Sequence, residues 1–330
     1  MKKSILVFSF LWALMIGGIS AQTLKFNANG KFKIVQFTDV HYIADDPRSA
    51  VAIERIGEVL DAEKPDLVVF TGDVIYGKPA EKSMCAVLNL VSERKYPFAV
   101  TFGNHDDEQG LSREELLKII QRIPGNLTAS AEGVSGVTNF VLPVKSSDGM
   151  RDAEILYMFD SHSYSQIKGI GGYDYIDFDQ IQWYRDNSRK YTASNGGMVI
   201  PSLAFFHIAL PEFRKAVVGE SVPFFGIRKE KVCAPLLNSG LFASMKEMGD
   251  VQGVFVGHDH DNDYAVMWQG ILLAYGRYTG GDTVYNNLSN GARVIELTEG
   301  EKSFRTWIRL KGNHVEQEVE FPESFLRPRK

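Results

Sequence analysis

Residues 66–73 read Asp-Leu-Val-Val-Phe-Thr-Gly-Asp, with Pro65 just before them. An apolar run without polar alternation marks a strand buried on both faces, as in a parallel sheet covered by helices. Working outward, Lys33 to Thr38 reads as an earlier strand, and Ser49 to Glu63 has apolar residues at helical spacing that stop before Pro65. Helix Ala80–Glu93, strand Pro97–Thr101 and helix Ser112–Arg122 follow. This βαβαβα order predicts an α/β fold with a mainly parallel sheet. The middle continues with strand Glu154–Phe159, helix Phe178–Lys190, strand Ile200–Phe206, helix Leu236–Met248 and strand Val251–Val256. Ala265–Met267, Ile271–Tyr275, Ala292–Leu297, Phe304–Leu310 and His314–Glu320 read as strands without helices between them, and predict a second, mixed or antiparallel sheet. With no Pro/Gly/Ser-rich linker and no internal repeat, residues 22–330 are expected to form one domain with two sheets.

The 330 residues are 44% hydrophobic and 23% charged, with a net charge of −5 and 12% aromatic residues, which excludes a disordered chain. The absence of a basic surplus argues against nucleic-acid or anionic-membrane binding. Met1-Lys2-Lys3, the apolar run Ile5–Ile16 and Gly17–Ala21 have the three parts of a secretory signal peptide, with cleavage expected after Ala21. The run is too short for a stable membrane anchor, and the short two-lysine start suggests export to a bacterial periplasm. The two cysteines, Cys85 and Cys233, leave two readings open: one disulfide, or buried free thiols.

The chemistry collects where strands end. The first strand runs into Asp39-Val40-His41, the second into Gly72-Asp73, and the third into Gly103-Asn104-His105-Asp106. Later strands run into His207 and into Gly257-His258-Asp259-His260. Ligands of open α/β sheets bind just outside the carboxyl ends of strands. Carboxylate, amide and imidazole together suit hard or borderline cations. Asp39, His41, Asp73, Asn104, His207, His258 and His260 are too many ligands for one ion, and Asp73 is placed to bridge two.

These five blocks resemble those of the calcineurin-like metallophosphoesterases over about residues 30 to 260, in the expected order. Phe206-His207-Ile208, Pro211-Glu212-Phe213 and the run His258 to Asp263 are similar to the purple-acid-phosphatase-related branch. The resemblance implies a four-layer α/β/β/α sandwich of two mixed sheets flanked by helices, and two divalent or trivalent ions (Fe, Zn or Mn). It assigns Asp39, His41, Asp73 and His260 to one ion, and Asp73, Asn104, His207 and His258 to the other. His105 is then the residue that faces substrate, with Asp106 orienting its ring. Typical purple acid phosphatases carry Gly where His41 stands and an iron-ligating Tyr three residues after the bridging Asp. Tyr76 has that spacing here, but His41 competes for the same coordination position.

The expected activity is phosphomonoester hydrolysis, in which a hydroxide shared by the two ions attacks phosphorus and His105 protonates the leaving group. A phosphodiesterase acting on cyclic nucleotides or glycerophosphodiesters is the alternative, and a non-catalytic metal- or phosphate-binding protein a remote one. The expected partner is a small phosphoester. Asn104, His162 and Arg277 are candidate substrate contacts, Arg277 because a guanidinium matches phosphate oxygens with two hydrogen bonds. Asp259, Asp261 and Asp263 lack the glycine of an EF-hand loop and read as turn residues supporting His258 and His260. Tyr173 and Tyr175 read as core or helix-entry residues.

Overall fold

The computed structural model describes residues 23–218 and 223–326, so the proposed signal segment lies outside the described residues. The first third gives β1 (Lys31–Phe37), α1 (Ala50–Glu63), β2 (Leu67–Thr71), α2 (Ala80–Glu93), β3 (Phe98–Thr101) and α3 (Arg113–Ile120). Next come β4 (Phe140–Lys145), β5 (Asp152–Met158), α4 (Phe178–Ser194), β6 (Ser202–Phe205), α5 (Glu212–Ala216), β7 (Phe224–Phe225), α6 (Leu241–Met248) and β8 (Val251–Val256). The last part holds β9 (Ala265–Trp268), β10 (Ile271–Tyr275), β11 (Gly291–Thr298), β12 (Phe304–Leu310) and β13 (Val315–Phe321).

Local chemistry sets the helix ends. Lys64 takes a left-handed conformation (φ 49°) that closes α1 onto the Leu60 carbonyl, and Pro65 prevents any continuation. Ser112 and Glu115 form a reciprocal capping box that starts α3.

Two mixed sheets pack face to face, in the orders β13-β12-β11-β1-β2-β3 and β4-β5-β6-β8-β10-β9-β7. On β2, Val68 and Phe70 pack under α1 and α2 against Ile56, Leu60, Met84 and Leu88. Leu67 and Val69 face the other way, into the layer between the sheets, with Leu203 and Phe255. The both-face burial read from residues 67–70 is therefore observed. The outer face of the second sheet is covered by α4, α5 and α6 through Tyr184, Phe213 and Met245. This is the expected four-layer α/β/β/α sandwich of two mixed sheets flanked by helices.

The C-terminal strands correct one expectation: they form no sheet of their own. β9 and β10 join the second sheet, β10 lying parallel to β8. β11 pairs antiparallel with β1, and β12 and β13 extend that sheet outward. β4, which the sequence reading did not predict, pairs with β5 at the sheet edge, where Pro143 is tolerated. Cys85 and Cys233 are both free.

Candidate metal centre

The turns leaving β1, β2, β3, β6 and β8 meet at one edge of the sandwich. Asp39 follows β1, and its carboxylate accepts from the Thr38 hydroxyl (2.8 Å) and from the His258 backbone N–H (3.0 Å). The turn after β1 is thereby tied to the turn after β8. His207 Nδ1 faces the Thr71 carbonyl at 2.7 Å and His260 Nδ1 the Tyr285 carbonyl at 2.9 Å, so both rings turn Nε2 inward. A backbone carbonyl behind a histidine fixes its tautomer in this way.

Asp39, His41, Asp73 and His258 all have positive φ (51°, 46°, 50° and 79°) although none is glycine. Strained backbone of this kind costs on the order of 1–3 kcal/mol per residue and persists where the surroundings over-determine it, characteristically at functional sites. Glycines make the close approach possible. A Cβ on Gly257 would lie 1.8 Å from Thr38 Oγ1, and one on Gly103 would lie 2.1 Å from Asp73 Oδ1.

Two groups able to hold a metal ion result: Asp39, His41 and His260, and Asp73, His207 and His258, all buried. Within the first, His41 Nε2 lies 3.1 Å from His260 Nε2 and 3.8 Å from Asp39 Oδ1, and His260 Nε2 lies 3.7 Å from Asp39 Oδ1. Within the second, His207 Nε2 lies 3.1 Å from Asp73 Oδ2 and 3.3 Å from His258 Nδ1. Asp73 Oδ2 is also 3.7 Å from His41 Nε2, which puts one carboxylate oxygen between the groups.

The donor set fits metal ions. Buried imidazole nitrogens aimed at one another need a cation or a proton between them. Asn104 Oδ1 is buried and has no hydrogen-bond partner, as a carbonyl oxygen reserved for a cation would be. Burial drives His41 and His258 well below the ordinary imidazole range, which favours the neutral form that can donate to a metal. Burial also opposes charge on His207, but the Asp73 carboxylate outweighs it and raises this histidine to about 9. Burial likewise opposes charge on Asp73, yet His207 and His41 hold it well below the usual carboxylate range. Asp39 is raised, chiefly by burial.

The structure brings all seven expected ligand residues and His105 to this edge, and reassigns three other residues. Asp106 does not orient the His105 ring. Its buried carboxylate accepts from the backbone N–H groups of Gly103 (2.8 Å), Asp73 (3.0 Å), Val74 (2.8 Å) and Ile75 (3.2 Å), pinning the turns after β2 and β3 together. Burial, with the Asp73 charge nearby, pushes Asp106 up to about 6. Arg277 is no phosphate clamp: its buried guanidinium is committed to the Asp263 carboxylate and the Ser289 carbonyl. His162 faces away, its Nε2 lying 2.8 Å from Gln180 Oε1 at the start of α4. Asp259, Asp261 and Asp263 anchor the loop after β8 through Tyr275, Asn287 and Arg277 respectively, as turn residues would.

Of the rim residues, only Tyr76 was singled out in the sequence; Glu108, Tyr173 and Tyr285 were not placed at the site. Glu108 Oε2 lies 2.6 Å from His105 Nδ1. Tyr173 packs edge-on against His258, 4.2 Å between ring centres, rather than serving as core. Tyr285 stacks on His260 at 4.5 Å. Tyr76 lies edge-on to His41 (5.3 Å) and His105 (5.1 Å). The spacing of Glu108 three residues after His105 was the one available clue, because a 3-10 turn over Asp106–Gln109 brings such residues together.

Fold and site together define a metallophosphoesterase with two adjoining groups of metal-binding side chains. The family model described as calcineurin-like phosphoesterase matches residues 32–262, and the chain belongs to that family. Among its relatives is the Arabidopsis thaliana protein named "Probable inactive purple acid phosphatase 14", 32% identical over 290 residues, covering 76% of this chain and 71% of the relative. The Saccharomyces cerevisiae phosphatase DCR2 is 34% identical over 341 residues, covering 90% of this chain but 56% of the yeast protein. A solved dimetal phosphatase from Danio rerio shares the fold, with a TM-score of 0.62 at 14% identity over 88% of this chain and 98% of its own. Among the described residues no helix is long and apolar enough to cross a membrane.

Proposed function

We propose that the protein hydrolyses small phosphomonoesters, using two metal ions held by Asp39, His41, Asp73 and His260 and by Asp73, Asn104, His207 and His258. The observation that carries this reading is Asp73 Oδ2, 3.1 Å from His207 Nε2 and 3.7 Å from His41 Nε2, one oxygen shared by both groups. Bound there, the two ions would supply Lewis acidity toward phosphoryl oxygens and a water nucleophilic at neutral pH. The chain's own contribution is positional. Asp73 and Asp39 bring the negative charge that two cations need, and Asn104 offers a neutral oxygen. His105, partly exposed above them, gives a proton to the departing ester oxygen, a contribution of about 10²–10⁴-fold.

Three Arabidopsis thaliana relatives are named probable inactive purple acid phosphatases, and the Saccharomyces cerevisiae relative is named a phosphatase. The complete ligand set together with His105 favours activity here over a non-catalytic binding role. Protein purified without chelators, reconstituted with Zn, Mn or Fe, and assayed on p-nitrophenyl phosphate and bis-p-nitrophenyl phosphate tests the reading. Faster turnover of the monoester supports it. Faster turnover of the diester favours a phosphodiesterase, and no turnover of either by metal-loaded protein refutes an esterase. We further propose that residues 1–21 direct export. N-terminal sequencing of the protein from its native host should begin at Gln22, and retention of Met1 would refute export.

A further inference from the structure

We propose that Glu108 is the positioning residue of His105, and that Tyr164 couples this pair to Asn104. The inference rests on the phosphoester-hydrolase reading for its role in turnover, though not for its geometry. His105 and Glu108 sit three residues apart on the turn after β3, with Nδ1 and Oε2 separated by 2.6 Å. The Glu108 side chain is 40% exposed. An ion pair of such exposure contributes little to stability, so its consequence is orientation. A carboxylate at Nδ1 holds the neutral ring as the Nδ1–H tautomer, leaves Nε2 as the atom that takes up and releases a proton, and fixes the ring plane.

Glu108 is itself held. The Tyr164 hydroxyl donates to Glu108 Oε1 at 3.3 Å and accepts from Asn104 Nδ2 at 3.4 Å. That second bond decides which way the Asn104 amide faces: Nδ2 is engaged, and Oδ1 is the atom left buried without a partner. One hydroxyl therefore sets both the oxygen that Asn104 offers to a cation and the carboxylate that aims His105. In the step this serves, the P–O bond to the leaving group breaks, and the ring protonated at Nε2 gives that proton to the departing oxygen. Water supplies the oxygen that replaces it at phosphorus, and the proton that water gives up leaves to solvent or returns to Nε2. Asp106, next to His105 in the chain, is unavailable for the role because four backbone N–H groups occupy its carboxylate.

The test has two arms. Long-range ¹H–¹⁵N spectra of histidine-labelled, metal-free protein, taken where the ring is neutral, report the His105 tautomer. It should be Nδ1–H in wild type and shift toward Nε2–H in Glu108→Gln. Kinetics of the metal-loaded protein form the second arm. Glu108→Gln should lower kcat on alkyl phosphates by about 10–100-fold, the range for losing an orienting partner of a site histidine. It should matter much less on aryl phosphates with acidic leaving groups, and add little to His105→Ala. An Nε2–H tautomer in wild type, or one unmoved by Glu108→Gln, overturns the assignment. So does an equal rate loss on both ester classes. The expected tautomer shift in a protein that cleaves no phosphoester would uphold the Glu108–His105 pairing and count against the proposed function instead.

Discussion

Gly103→Ala is the smallest change that probes the packing of the centre, because it adds one methyl group at the turn after β3. That methyl would lie 2.1 Å from Asp73 Oδ1 and 2.4 Å from Asp73 N, where real Cβ contacts keep to at least 3.0 Å. The obstacle includes backbone, so no rotamer change relieves it. The turns after β2 and β3 must separate by nearly an ångström. Two hydrogen bonds across that gap are exposed to the movement: His105 N–H to Asp73 Oδ1 (2.8 Å) and Asp73 N–H to Asp106 Oδ2 (3.0 Å). Overpacking of this kind costs about 1–3 kcal/mol, and each buried hydrogen bond left unmade about 1–3 kcal/mol more. A misplacement of about 1 Å in a catalytic group is also worth about 10²-fold in rate. We expect Gly103→Ala to remain folded with a lowered denaturation midpoint, to bind metal less tightly, and to turn over phosphoesters at least about 10²-fold more slowly. Chemical denaturation, metal analysis and steady-state kinetics on one preparation read all three. Wild-type turnover and metal content would show that the Asp73–Asn104 geometry is not what the chemistry depends on.

Further predictions concern residues away from Gly103. Arg277→Ala should destabilise by about 3–5 kcal/mol because it strands the buried Asp263 carboxylate, while KM of the surviving enzyme stays near wild type; a raised KM at unchanged stability would restore Arg277 as a phosphate contact. Glu154 is buried, and burial alone raises it well above its ordinary 4.5, so the folded state holds its proton more tightly than the unfolded state. The stability from that neutral carboxyl is complete below pH 4.5 and is lost as pH rises through the raised value. Glu154→Gln should therefore flatten the pH dependence of the denaturation midpoint and stabilise at pH 8; an unchanged profile would refute the burial argument. Iron-loaded, oxidised protein should lack a strong visible tyrosinate band, on the expectation that His41, grouped with Asp39 and His260, serves as the ligand in place of Tyr76; a band abolished by Tyr76→Phe would reverse this.

Much of the site was legible because strand ends are marked by sequence: an apolar run, then a donor, with a glycine before the donor after β2, β3 and β8. Apolar runs and helical spacing likewise carried the both-face burial of β2 and the ends of α2, β10 and β12. Strand partners were not legible. β1 pairs with β11 across most of the chain, and a strand's side-chain pattern says which faces are buried, not which neighbour covers its edge. Side-chain assignments failed where two residues offered the same chemistry. Asp106 and Glu108 are both carboxylates near His105, and only the turn geometry gives one to the backbone and the other to the ring. Arg277 carries the functional group a phosphate clamp requires, but Asp263, brought beside it by the loop before β9, occupies it. Pro143 hid β4, since proline in an apolar run argues against a strand unless the strand lies at an edge.

The central claim is that Asp73, between the two buried groups, would help hold both metal ions of a phosphoester-cleaving site. Metal analysis of wild type and Asp73→Asn, purified side by side without chelators and assayed on p-nitrophenyl phosphate, tests it most directly. The substitution keeps the side chain's shape and removes its charge. Two ions per chain in wild type are expected, one for each buried group. In Asp73→Asn, metal content should fall and turnover should drop by about 10³-fold or more. Near-normal turnover with full metal content in Asp73→Asn would contradict the account.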